Sequence, residues 1–261
     1  MSAHKPAVLI LVDGLRPEAM LEAPAPTMLR LLAGGAGTLR ARTVMPSVTL
    51  PCHTSLFYGV APERHGITTN RWQPLARPLP SLFDVVHAAG PKTLAYYNWE
   101  ELRDLGAPGA LDEAHFIRYL SERGDESDQL LFDMATQRLA RHDFGLAFLY
   151  YGSVDCTGHE HGWMSQLYLR RVADADRAIA RVLPVLPPDC LVVLMADHGG
   201  HAKTHGSEHD QDMLIPVILN GPGIGAGLAL PEPVNITDVA PTILHWMGIA
   251  APREWTGRPL V

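Results

Sequence analysis

An α/β fold, with a mostly parallel sheet covered by helices on both faces, is what this sequence predicts, and three observations predict it. Short apolar runs with β-branched or aromatic character recur along the chain and stop at turn residues. The segments between them place apolar residues at helical spacing. The runs themselves are continuously apolar, as in strands buried on both sides, so the alternation builds a three-layer α/β/α sandwich.

The strands in order are Ala7–Val12, Thr93–Tyr97, Leu146–Tyr151, Leu191–Met195 and residues 214–219. Helices are predicted over 127–141 and 165–183. In the second, Leu169, Val172, Ala175, Ile179 and Val182 fall at helical spacing, and Pro184 stops it. Residues 45–59 place Pro51 ahead of an apolar run, which predicts a short helix with proline at its first position. Proline-rich patches at 22–26 and 74–80 read as surface loops inside one domain. With 261 residues, 47% hydrophobic and 19% charged, the chain is long enough to bury a full core, and residues 1–261 are expected to form a single catalytic domain.

Composition excludes some functions. A formal net charge of −7 with no basic run argues against binding a nucleic-acid duplex. The apolar run at Ala7–Val12 is much shorter than a membrane span and ends in Asp13, without a small-residue cleavage site, which points to a soluble cytoplasmic protein with no membrane partner. Cys52, Cys156 and Cys190 are too few and too irregularly spaced for a disulfide framework or a cysteine zinc site, and are expected as reduced thiols. Histidine is the unusual component. Six of the 13 lie between Asp155 and His209, namely His159, His161, His198, His201, His205 and His209.

Three strands run toward acids. Ala7–Val12 leads into Asp13, Leu146–Tyr151 toward Asp155, and Leu191–Met195 into Asp197 and His198. In a parallel sheet the C-terminal strand ends share one edge, where such folds place their ligand crevice, so the three acids should converge. Convergent carboxylates repel one another unless cations sit between them. The nearby imidazoles supply the neutral nitrogen donors that zinc prefers, and a dinuclear zinc site follows, with manganese or iron able to use the same donors. Thr49, just before Pro51, would meet free backbone N–H groups and the positive end of a helix dipole, both favourable to an anionic phosphate. A neighbouring zinc would lower its pKa for attack. Ser47, Thr54 and Ser55 remain rivals at this point, whereas Cys52 can be assigned no histidine and acid pair.

At these residues the chain resembles the alkaline phosphatase superfamily, most closely its nucleotide pyrophosphatase and phosphodiesterase branch. The likeness runs through LVDGLR (11–16), SVTLPCHTSLFYGVAPERHGITTN (47–70), VDCTGH (154–159), ADHGG (196–200), THG (204–206), IPVILNGPGI (215–224) and ITDVAPTILHWMGI (236–249). It implies an alkaline-phosphatase-like fold and two zinc ions. One would be held by Asp155, His159 and His205, the other by Asp13, Asp197, His198 and the Thr49 oxygen. It makes Thr49 the nucleophile of a covalent phospho-enzyme and Asn70 a donor to a phosphate oxygen. Only the THG context favours His205 over His201 and His209 as the last ligand.

The implied activity is hydrolysis of a small-molecule phosphodiester or pyrophosphate. Phosphomonoester or phosphonoacetate-type hydrolysis at the same site is the alternative, and a non-catalytic zinc-binding protein is the reading from another class. Leu50 replaces the aromatic that nucleotide-cleaving members carry after the nucleophile, and only a short gap separates His198 from His205, so a nucleotide substrate and a large lid are not implied. Arg16, Arg64 and Arg71 are candidates to meet the extra charge of a monoester. Trp72, Tyr97 and Trp99 are candidates to line the substrate site.

Overall fold

The computed structural model describes residues 4–75 and 78–261, so Ala76 and Arg77 of the second proline patch lie outside the described residues. Eight strands form one sheet: β1 (Ala7–Val12), β2 (Ala36–Arg42), β3 (Thr93–Tyr97), β4 (Glu113–Phe116), β5 (Leu146–Tyr151), β6 (Leu191–Met195), β7 (Leu214–Asn220) and β8 (Leu228–Ala229). The helices are α1 (Pro17–Glu22), α2 (Pro26–Gly34), α3 (Thr49–Tyr58), α4 (Pro62–His65), α5 (Leu82–Ala88), α6 (Glu126–Leu139), α7 (Ser153–His161), α8 (Gln166–Val182), α9 (Asp210–Met213) and α10 (Val239–Met247).

The strand order is β4-β3-β5-β1-β6-β7-β2-β8. Strands β4, β3, β5, β1 and β6 run parallel, and β7 is antiparallel to both β6 and β2. Every residue of β1, β5 and β6 is buried, as continuous apolar runs require of strands covered on both faces. Alternation along β5 divides the helices between the faces. Phe148 packs against Phe57 of α3 and Phe83 of α5, whereas Tyr151, three residues on, packs against Phe132 of α6. Helices α6, α2 and α7 gather around α8, while α3, α5 and α10 pack together.

This topology positions the site. In the register, Val12 sits beside Tyr151 and Leu11 beside Met195, so β5, β1 and β6 end at nearly one level. The segments leaving these three adjacent strands carry Asp155, Asp13 and Asp197.

Three expectations need correction. The nucleophile segment becomes helical at Thr49, with Val48 as N-cap, and Pro51 is the third helical residue rather than the first. Proline is tolerated there because the first N–H groups of a helix have no intrahelical partner. The patch at 22–26 is not simply loop, since Pro26 opens α2. The helix expected over 127–141 spans Glu126–Leu139 and passes into a turn in which His142 has φ 55°.

Candidate metal centre and nucleophile

Local structure first fixes the acids. Asp13 follows β1 directly and is succeeded by Gly14, whose φ of 67° turns the chain. A β-carbon on Gly14 would lie 3.1 Å from the Asp155 side chain, so the glycine lets two carboxylates approach. Asp155 and His159 occupy successive turns of α7 and share one face. Asp197 and His198 leave β6, and a tight turn closed by two hydrogen bonds between His201 and Thr204 returns the chain to His205. That turn accounts for the short spacing between His198 and His205.

These elements bring all eight candidate residues to one place. His198 Nε2 lies 3.3 Å from Asp13 Oδ1, 3.4 Å from Asp197 Oδ2 and 3.2 Å from Thr49 Oγ1. His205 Nε2 is 3.6 Å from Asp155 Oδ1 and 3.1 Å from His159 Nε2, which in turn is 3.4 Å from Asp155 Oδ2. Asn70 Oδ1 accepts the Leu50 N–H at 2.9 Å, beside Thr49. His209, the rival to His205, is exposed and stacks its ring edge against His201. His201 is bound to Asp212, so neither reaches the cluster.

The tautomers follow from the backbone. Nδ1 of His198, His159 and His205 faces the carbonyl oxygen of Gly199, Lys203 and Ser47 respectively, at 2.8, 3.0 and 2.8 Å. A carbonyl only accepts, so each Nδ1 carries a proton and each Nε2 is the nitrogen turned toward the centre. The acids present matching acceptors. Asp13 Oδ1, Asp155 Oδ1 and Asp197 Oδ2 are buried without a hydrogen-bond partner among the described residues. Burial and the neighbouring Asp197 and Asp155 charges push Asp13 well above the usual carboxylate range, and burial lifts Asp155 against the pull of His198 and His159. Burial would raise Asp197 too, but His198 and His53 beside it bring it down. Burial, with His198 next to it, lowers His205 to about 3, which keeps its imidazole neutral. Two donor groups fit a cation, Asp13 with Asp197 and His198, and Asp155 with His198 and His205. Orphaned carboxylate oxygens facing imidazole Nε2 atoms are the donor chemistry of a divalent metal.

Several supporting residues were not read from the sequence, because their roles arise only from tertiary placement. Tyr150 donates its phenol proton to Asp13 Oδ2. His53 Nδ1 lies 2.9 Å from the Thr49 carbonyl and 3.4 Å from Asp197 Oδ2. Trp163 donates to the Gly14 carbonyl and sets its indole edge against His159 and His205. A β-carbon on Gly200 would lie 2.2 Å from that indole, so the ring fits only because the glycine leaves the space. Cys52 is buried and accepts from Thr43, which suits a packed thiol.

The cluster floors a cavity of about 160 Å³, whose further lining includes Asn70, Asn98, Trp99 and Tyr119. Of the aromatic candidates, Trp99 lines it, while Tyr97 packs on Phe116. The Arg16 guanidinium is turned away to the Gly200 carbonyl and Glu18.

The metalloenzyme superfamily model matches residues 92–251. The chain belongs to the metalloenzyme superfamily. The model for type I phosphodiesterase / nucleotide pyrophosphatase matches residues 7–78. Asp13, Thr49 and Asn70 thus fall within one match, and the remaining five candidates within the metalloenzyme match. Murine ectonucleotide pyrophosphatase/phosphodiesterase 5 superposes with a TM-score of 0.80 at 14% identity, covering 97% of each chain. Phosphonate monoester hydrolase from Silicibacter pomeroyi gives 0.75 at 19% identity, over 98% of this chain and 76% of that one. These likenesses establish the mixed α/β, alkaline-phosphatase-like fold. A phosphopentomutase from Anaeromyxobacter is 33% identical over 121 residues, 46% of this chain and 29% of its own length. The chain spans less than half the length of the curated relatives it matches. Membership of the metalloenzyme superfamily implies that the chain binds a divalent metal. No described helix is long and apolar enough to cross a membrane.

Proposed function

We propose that this metalloenzyme hydrolyses a small-molecule phosphodiester through a phosphorylated Thr49, using two divalent cations, zinc in the first instance. The observation that carries the reading is the convergence of three orphaned carboxylate oxygens and three Nε2 atoms around one hydroxyl at a helix start. Asp155, His159 and His205 would hold one cation, and Asp13, Asp197, His198 and Thr49 Oγ1 the other. When bound, such cations neutralise the crowded carboxylates, stabilise charge on phosphate oxygens and lower the pKa of a hydroxyl beside them.

The chain's own residues supply the rest. Thr49 is the first residue of α3, so the positive end of that helix favours an anion above it, although the Leu50 N–H is taken by Asn70 and Pro51 has none. Its Oγ1 attacks phosphorus, the bond from phosphorus to the leaving alcohol breaks, and the alcohol leaves with a proton. Water then attacks the phosphorylated Thr49, restoring the hydroxyl and releasing a phosphomonoester. Asn70 is oriented by the Leu50 N–H on its Oδ1, which leaves Nδ2 to donate to a phosphate oxygen. Tyr150 fixes Asp13, and burial together with the Asp13 charge pushes its own pKa up, so the phenol remains a donor.

A diester is favoured because the lining side chains near Thr49 are neutral or ligand-forming, and among the described residues none is Lys or Arg. The second negative charge of a monoester calls for such a cation. The test compares a p-nitrophenyl phosphodiester, the monoester and phosphonoacetate, with and without chelator. The expected result is diester turnover that chelation abolishes and that Thr49→Ala reduces by roughly a thousandfold or more. Activity that survives the substitution would remove Thr49 as nucleophile. Faster turnover of the monoester or phosphonoacetate would change the bond assigned, and turnover of none by metallated protein would leave a binding protein.

A further inference from the structure

We infer that Asn98 is a specificity-determining residue whose Oδ1 accepts a hydrogen bond from the substrate, so that the favoured phosphodiester carries a hydroxyl or amino donor close to phosphorus. The inference rests on the phosphodiesterase reading above and adds the chemistry of the esterified group. Asn98 follows β3 and is only 3% exposed, yet it lines the same cavity as Thr49 and Asn70.

Its carboxamide can face only one way. Nδ2 donates to Asp128 Oδ1 at 2.9 Å and to Ser127 Oγ at 3.1 Å. Asp128 Oδ1 also receives the Gly152 N–H at 2.7 Å, so that oxygen is an acceptor and the group facing it must be the amide NH₂. Oδ1 is therefore turned to the opposite side, and it has no hydrogen-bond partner among the described residues. Gly152 locates it independently. A β-carbon there would lie 2.6 Å from Asn98 Oδ1, and Gly152 also lines the cavity. The backbone of Asn98 is held as well, its carbonyl accepting the Tyr119 N–H at 3.1 Å.

The result is a rigid acceptor in the wall of a small cavity, clamped from β3, α6 and the start of α7. An enclosed acceptor left unpaired by a ligand carries a desolvation cost, so such a site discriminates against an analogue lacking the donor more strongly than an apolar wall discriminates against an added group. A cavity of about 160 Å³ also suits a compact polar group better than a large apolar one.

The experiment uses two p-nitrophenyl phosphodiesters that differ by one hydroxyl, with 3-hydroxypropyl or propyl as the second ester group, on the metal-loaded enzyme. Wild type is expected to favour the hydroxyl-bearing ester by about tenfold in kcat/KM. In Asn98→Ala, and in Asn98→Ser, which keeps a small donor toward Asp128, the ratio should fall to about one. A wild-type ratio near one, a ratio retained in the folded variants, or equal loss on both esters overturns the assignment. Calorimetric binding of the same pair to metal-loaded Thr49→Ala separates the two readings. If wild type cleaves neither ester but Thr49→Ala still binds the hydroxyl form about tenfold more tightly, the phosphodiesterase reading fails and the role of Asn98 stands. Equal binding of both esters removes that role.

Discussion

The candidate metal centre has an inner and an outer half built from the same donor chemistry in different surroundings. In the inner half, Asp13, Asp197 and His198 are at most 2% exposed and come from the ends of β1 and β6. In the outer half, Asp155 and His159 come from α7 and His205 from the loop after β6, and the His159 side chain is 43% exposed. Water can reach His159 when no cation is present, whereas the inner acids have no such recourse. On the proposed function, a cation in the inner half would serve folding as well as chemistry, while one in the outer half would exchange more readily with solvent.

Metal removal should give the largest effect. Graded chelation is expected to abolish diester turnover as the first equivalent leaves, with little change in Tm, and to lower Tm by several degrees when the second is stripped. Metal analysis alongside calorimetry reads both steps, and an unchanged Tm at the second would break the distinction. Next, His198→Ala should lower kcat/KM by roughly a thousandfold or more, and His159→Ala by about 10- to 100-fold with partial recovery in excess metal. The reverse order in steady-state assays would show that exposure does not rank the two halves.

A smaller effect concerns the support of the outer half. Asp128 receives the Gly152 N–H just ahead of α7, and burial raises its carboxyl from 3.8 to about 7. Since the folded value lies above the unfolded one, its stabilising contribution is complete below about pH 4 and is lost as pH rises through about 7. Asp128→Asn mimics the protonated acid. It should therefore be more stable than wild type above pH 7, by on the order of a few kcal/mol, with the difference closing toward pH 4. Denaturant melts across that range would detect it, and parallel pH profiles would exclude it. The smallest effect is expected for His209→Ala, within about twofold of wild-type activity, because its ring packs on His201 outside the cluster. A large loss there would reopen the choice of last ligand.

The sequence exposed what burial on both faces makes conspicuous. Strands β1, β3, β5 and β6 were legible to the residue as apolar runs, and the acids at the ends of β1 and β6 were legible with them. Strands β2, β4 and β8 were not. Glu113–Phe116 alternates half-buried and exposed residues near the sheet edge, and Leu228–Ala229 is only two exposed residues long. Asp155 could be placed near a strand end, but not on a helix face shared with His159. Motif resemblance favoured His205, and the turn at His201 and Thr204 supplies the physical reason it, rather than His209, reaches the cluster. Asn98 and Trp163 were silent because their partners lie far away in the chain, Asp128 and Gly14 respectively, and His53 because its approach to Asp197 is tertiary.

The indole of Trp163 has a consequence for how this site can diverge. It fills room left by Gly158 and Gly200, where β-carbons would come within 2.7 and 2.2 Å of the ring. Its edge also meets both outer histidines. The three positions form one unit of inheritance, since a larger residue at either glycine displaces the ring and a smaller one at 163 leaves two histidines unbraced. New substrates can be accommodated by changes at Asn98, Trp99 or Tyr119 across the cavity, leaving this corner as the fixed point around which the opposite wall is free to drift.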